Sequence, residues 1–95
     1  MPAYVIANVT VKDPARYEEY RRLVTPTVEQ FGGRFIARGG HTDVLEGAWA
    51  PRRVVIIEFP TLARAKEWWS SPEYAEARAI RQATSEGTLI VIEGV

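Results

Sequence analysis

The sequence predicts an α+β fold, a four-stranded antiparallel sheet with its helices on one face. Three observations carry that prediction. Four stretches alternate apolar residues with the period of a strand. Two cap-then-proline signals, Asp13-Pro14 and Ser71-Pro72, open helical stretches. The elements then follow one another as β-α-β-β-α-β. With 95 residues, the chain reads as one domain over 1–95, because at this size only roughly 60–65 % of the unfolded surface is buried, enough for a single core.

Tyr4 to Val11 alternates, with Val5, Ala7, Val9 and Val11 on one side and Tyr4, Ile6, Asn8 and Thr10 on the other. Asp13 caps a helix whose first turn holds Pro14. Tyr17, Tyr20, Val24, Val28 and Phe31 recur at helical spacing, Pro26 is expected to kink or interrupt the run, and Gly32-Gly33 ends it. Phe35 to Arg38 reads as a short strand, broken by Gly39-Gly40. Val44-Leu45-Glu46 is expected to form an extended arm or small hairpin, and Trp49 to Arg52 a turn. Arg53 to Phe59 is the clearest strand, stopped by Pro60. Thr61 caps a helix through Trp69, and Ser71-Pro72 opens another stretch to about Thr84. Glu86-Gly87 reads as a turn before a last strand, Leu89 to Glu93. This order is the split βαβ, or ferredoxin-like, arrangement.

The parities assign two sheet faces. Val5, Ala7, Val9, Phe35, Ala37, Val55, Ile57, Phe59, Leu89 and Val91 are expected under the helices. The opposite face mixes Asn8, Arg38 and Glu58 with Ile6, Ile36, Val54, Ile56, Ile90 and Ile92. A solvated face reads polar, and an apolar patch of this extent exceeds what monomers expose. The expected partner is an identical sheet in a two-fold homodimer, with the three polar residues in the gap.

Composition removes several functions. Lys plus Arg and Asp plus Glu both number 12, so the neutral chain has no overall charge for nucleic acid or an anionic membrane. Cys is absent and His41 is the only His, so Cys-based zinc sites and multi-His metal centres are excluded, and no metal or other cofactor is expected. No apolar run approaches the ~20 residues of a membrane span and no basic leader is visible; a cytoplasmic protein is expected. Phosphate-binding glycine loops and a nucleophile elbow are also missing.

Several residues carry possible chemistry. Arg38 and Glu58, on neighbouring strands of the mixed face, either orient a small acid or carbonyl compound or form an interface ion pair. His41, after two glycines, is a candidate acid or base with Glu46 as its partner, or a solvated loop residue. Glu46 alternatively closes the turn at Arg52 and Arg53. Trp68, Trp69 and Tyr74 cluster where the second helix breaks, and adjacent tryptophans point about 100° apart on a helix, so one is expected in the core and the other lining a cleft or the dimer seam, with core and interface packing of all three as the alternative. Arg78 and Arg81 either grip an anion at a rim or form a solvated face with nearby glutamates.

Taken together, Asp13-Pro14 with Tyr17 and Tyr20, Gly32-Gly33-Arg34-Phe35, Arg38-Gly39-Gly40, Leu45-Glu46-Gly47, Val55 to Pro60, Trp68 to Tyr74, Arg81 and Glu93-Gly94 resemble the domain-of-unknown-function family 1330, within the dimeric α/β-barrel superfamily. The resemblance runs nearly end to end. It implies ferredoxin-like subunits paired sheet to sheet, and no particular reaction. Trp69 stands where many members carry Tyr. Asn8 with Trp69 and Tyr74 also resembles the cofactor-free oxygenases of that superfamily, whereas the helical His of its haem-degrading members has no counterpart. The expectation is a small-molecule site between sheet and helices or between subunits, with His41 and Glu46 as candidate catalytic residues and Asn8, Arg38, Glu58, Trp69, Tyr74 and Arg81 as candidate binding residues. The alternatives are a cofactor-independent monooxygenase or isomerase for a small aromatic or carbonyl compound, and a structural or ligand-sensing dimer.

Overall fold

The structure is a computed structural model that describes residues 1–95. Its elements are β1 (Ala3–Val11), α1 (Pro14–Gln30), β2 (Arg34–Arg38), β3 (Arg53–Phe59), α2 (Leu62–Ser70), α3 (Pro72–Thr84) and β4 (Ser85–Glu93). The strands form one sheet in the order β2-β3-β1-β4, every neighbouring pair antiparallel. All three helices lie on one face, giving a two-layer slab 35 × 34 × 16 Å.

Local chemistry starts each helix. The side chains of Asp13, Thr61 and Ser71 accept from the amides of Arg16, Arg64 and Tyr74, satisfying donors that a first helical turn leaves free. Pro26 does not end α1, which continues to Gln30. Gly32, at φ +78°, ends it instead, and the Gly32 and Gly33 amides donate back to the carbonyls of Glu29 and Val28.

The core lies between sheet and helices. Val5, Ala7, Val9, Val55, Ile57 and Phe59 meet Val24 and Val28 of α1 and Ala65, Trp68, Tyr74 and Ala77 of α2 and α3. Trp68 holds the centre. Its ring lies 4.1 Å from that of Tyr74 and 5.4 Å from that of Phe59, and its indole N–H donates to Thr27 Oγ1 at 3.1 Å, so burial leaves no unmet donor.

Two strand assignments change. β4 begins at Ser85, so Glu86 and Gly87 belong to the strand and not to a turn. Gly87 faces Val9 across the ladder. A Cβ there would sit 2.1 Å from the carbonyl oxygen of Asn8, so glycine marks a close backbone approach. The second change is in β2. Its pairing with β3 shifts between Phe35 and Ala37, so Phe35 opposes Ile57 while Ala37 opposes Ile56. This bulge at Ile36 reverses the alternation. Ala37 joins the open face, and Arg38, opposite the buried Val55, turns toward the helices. Residues 40–50 contain no strand and form an arm, every residue of it exposed.

Candidate functional site

The bulge gathers an arginine cluster beneath α1. Arg38 donates from Nη2 to the carbonyl of Arg21 at 3.0 Å and from Nη1 to Thr25 Oγ1 at 3.1 Å, and its guanidinium lies 3.9 Å over the Phe35 ring. Arg53 shares the parity of Val55 and Ile57, so it also faces the helices, 5.7 Å over the Tyr17 ring. Gly39, at φ +71°, makes room for it, since a Cβ at that position would meet the Arg53 guanidinium. Arg21 comes down from α1, its Nη1 held by Glu18 at 2.9 Å. Arg81 enters from α3, only 9 % exposed, and its Nε donates to the Tyr74 hydroxyl at 3.2 Å. The Tyr74 hydroxyl in turn lies 3.4 Å from that of Tyr20.

These groups line one narrow cleft between sheet and helices, walled by Val9, Tyr17, Phe35 and Val55. The free space inside is about 20 Å³, the size of one or two waters. Four arginines border it and no Asp or Glu does. Arg38, Arg53 and Arg81 have no carboxylate within 4 Å. The Nε atoms of Arg21 and Arg53 are buried with no hydrogen-bond partner, an arrangement that costs free energy unless something accepts from them. Loss of solvent, with the charges of Arg21 and Arg53, pulls the Arg38 guanidinium below the usual arginine range.

The sequence-predicted residues fall in different places. Arg38 is not beside Glu58. The bulge puts the two on opposite faces, and Glu58 pairs instead with Arg34 at 2.9 Å on the open face. Asn8 lies on that open face and anchors the arm, its Oδ1 accepting from the Arg52 amide at 3.0 Å. His41 Nε2 meets Asp43 at 3.0 Å, both exposed, and not Glu46. Glu46 is in no ion pair with Arg52 or Arg53. Tyr74 is fully buried in the core and not at a rim. Trp69, 43 % exposed, borders a separate groove with Ala65, Ile90 and Val91 at the β4 edge. Of the candidates, only Arg38 and Arg81 reach the cleft.

Arg21, Arg53, Tyr17 and Tyr20 also line this cleft, although none of them is a sequence-predicted site residue. Two signals point to them. Arg21 interrupts the apolar stripe of α1 one residue after Tyr20, and Arg53 occupies a core-parity position of β3. No three His, Asp or Glu side chains come close enough together to hold a metal ion, and no helix is long and apolar enough to cross a membrane.

A four-stranded antiparallel sheet in this order, with three helices on one face, defines a ferredoxin-like protein. The chain belongs to the domain of unknown function family DUF1330, whose model matches residues 2–95. The fold is similar to a protein of unknown function from Rhodopseudomonas palustris, at 25% identity and TM-score 0.80 over 99% of this chain and 82% of that one. It is also similar to a dimeric ferredoxin-like protein of unknown function from Jannaschia sp. CCS1, at 12% identity and TM-score 0.78 over 99% of this chain and 100% of that one. SnoaB, a cofactor-independent oxygenase from Streptomyces nogalater, shares the fold at 17% identity and TM-score 0.63, over 99% and 93% of the two chains. No protein of curated function matches the chain.

Proposed function

We propose that this protein is a homodimer that binds a small organic molecule in the cleft between α1 and the β2–β3 half of the sheet. The single observation behind the reading is the pair of buried Nε donors, Arg21 and Arg53, with nothing to accept from them. Native interiors satisfy nearly all such groups, and an exception calls for an acceptor such as a water, an ion or a ligand. Tyr17 and Phe35 offer apolar walls, and Arg38 and Arg53, both half-buried, border the same cleft.

The open sheet face supports the dimer. Ile36, Ile90 and Ile92 are 47%, 58% and 52% exposed there, and a protein similar in fold is described as dimeric. The cleft is lined by arginines and tyrosines, with no carboxylate or imidazole among them, and the reading is confined to binding. The test is a panel of small aromatic acids, amides and alcohols, read by amide and side-chain NMR shifts. Shifts gathered on Tyr17, Arg38 and Arg53 support the cleft. Shifts confined to Asn8, Glu58 and Ile90 would place the site between subunits and overturn it.

A further inference from the structure

We infer that the ligand of this cleft carries a carboxylate, seated against Arg53 and Arg38 beside Arg21. This rests on the proposed cleft and names its ligand class. The chain is electrically neutral as a whole, yet four of its arginines border one cleft that no acidic residue enters. Chance pairing does not leave such a set unpartnered. The ion pairs of this protein neutralise charges elsewhere, and only Arg21 among the four has one, on its outer side with Glu18.

The donors are already arranged. Arg38 is fixed by two hydrogen bonds on one side, to the Arg21 carbonyl and Thr25, which leaves the rest of its five N–H groups free. Arg53 makes no side-chain hydrogen bond, and Gly39 keeps the space around its guanidinium clear of a side chain. Holding a guanidinium in place before the ligand arrives lowers the ordering cost of binding. The planar fork matches two carboxylate oxygens in a bidentate pair. The free space of about 20 Å³ takes a small head, the size of one or two waters. The remainder of the compound extends out of the cleft past the half-buried Phe35.

Benzoate, benzamide and inorganic phosphate separate the possibilities, each titrated into the full-length protein with NMR and thermal melting as readouts. Benzoate is expected to bind at least tenfold more tightly than benzamide, to shift Arg38 and Arg53 side-chain signals, to raise the melting temperature, and to weaken as salt is added. Arg53→Gln is expected to reduce benzoate affinity at least tenfold and benzamide affinity by a much smaller factor. The variant is also expected to melt no lower than wild type, because it removes a half-buried charge that has no partner. Equal binding of benzoate and benzamide at the cleft overturns the carboxylate while the cleft reading stands. Tighter binding of phosphate than benzoate also overturns it. If no probe perturbs the cleft at millimolar concentration, the cleft reading fails and the inference goes with it.

Discussion

On the open sheet face, the Arg34 Nε donates to Glu58 Oε1 at 2.9 Å, across a register that sets the two residues directly opposite each other. Arg34 is 73% exposed in its side chain and Glu58 27%. An ion pair with one partner so wet contributes about 0.2–1 kcal/mol. A double-mutant cycle with Arg34→Ala and Glu58→Gln, measured by urea unfolding, is expected to give a coupling within that range in the monomer. A coupling above about 2 kcal/mol would show that the pair is desolvated in the dimer.

The dimer itself is tested on the β4 side of that face. Ile90 is 58% exposed and stands opposite Ile6 in the sheet. Ile90→Asp places a charge in the seam where burial is costly. Light scattering is expected to give twice 10.7 kDa for wild type and 10.7 kDa for the variant. Because residue 90 faces away from the core, the variant is expected to keep its helical circular dichroism. A monomeric wild type at micromolar concentration would end the dimer reading.

Much of this fold was legible because β1 and β3 alternate without interruption, so Val5, Ala7, Val9, Val55, Ile57 and Phe59 declare their face. β2 is different. It has five residues, and nothing in Arg34-Phe35-Ile36-Ala37-Arg38 says that one of them is extra. The bulge exists only in the pairing with β3, and one added residue moves every later side chain to the other face. That single event takes Arg38 off the open face that Glu58 occupies and delivers it to Arg21. Glu86-Gly87 misleads for a related reason. Glycine signals both turns and close backbone approach, and only the neighbouring Asn8 carbonyl decides between them. Tyr74 reads as a candidate binding residue because it follows Trp68 and Trp69 at the helix break, but Tyr20 and Arg81 satisfy its hydroxyl inside the core.

Trp68 is the side chain on which α1, α2 and β3 converge. It is 1% exposed and stacked with Tyr74 and Phe59. Trp68→Ala is expected to cost about 3–5 kcal/mol, the usual penalty for emptying a large aromatic from a core. Thr27→Val keeps the volume but leaves the indole N–H without its acceptor, and is expected to cost about 1–3 kcal/mol. Urea denaturation of both variants checks the order. A Thr27→Val protein as stable as wild type would mean that the indole finds another acceptor.

Tyr20 links the core to alkaline pH. Burial raises its phenol pKa above the ordinary value of 10.0, and the neighbouring Tyr74 raises it further by charge and by hydrogen bonding. The neutral phenol is therefore the form the folded state holds, while the unfolded chain ionises at its ordinary value. Stability from this group is complete below pH 10.0. As pH climbs past that value the unfolded state loses a proton that the folded state keeps, so stability falls, by up to about 1.4 kcal/mol per pH unit for one group. Tyr20→Phe removes the titration. The stability of wild type minus that of Tyr20→Phe, from urea unfolding at pH 8 to 11, is expected to stay flat to about pH 10 and then decline. A flat difference throughout would mean that the Tyr20 phenol ionises as readily in the folded protein as in the unfolded chain, and that the hydroxyl cluster with Tyr74 and Arg81 is open to water.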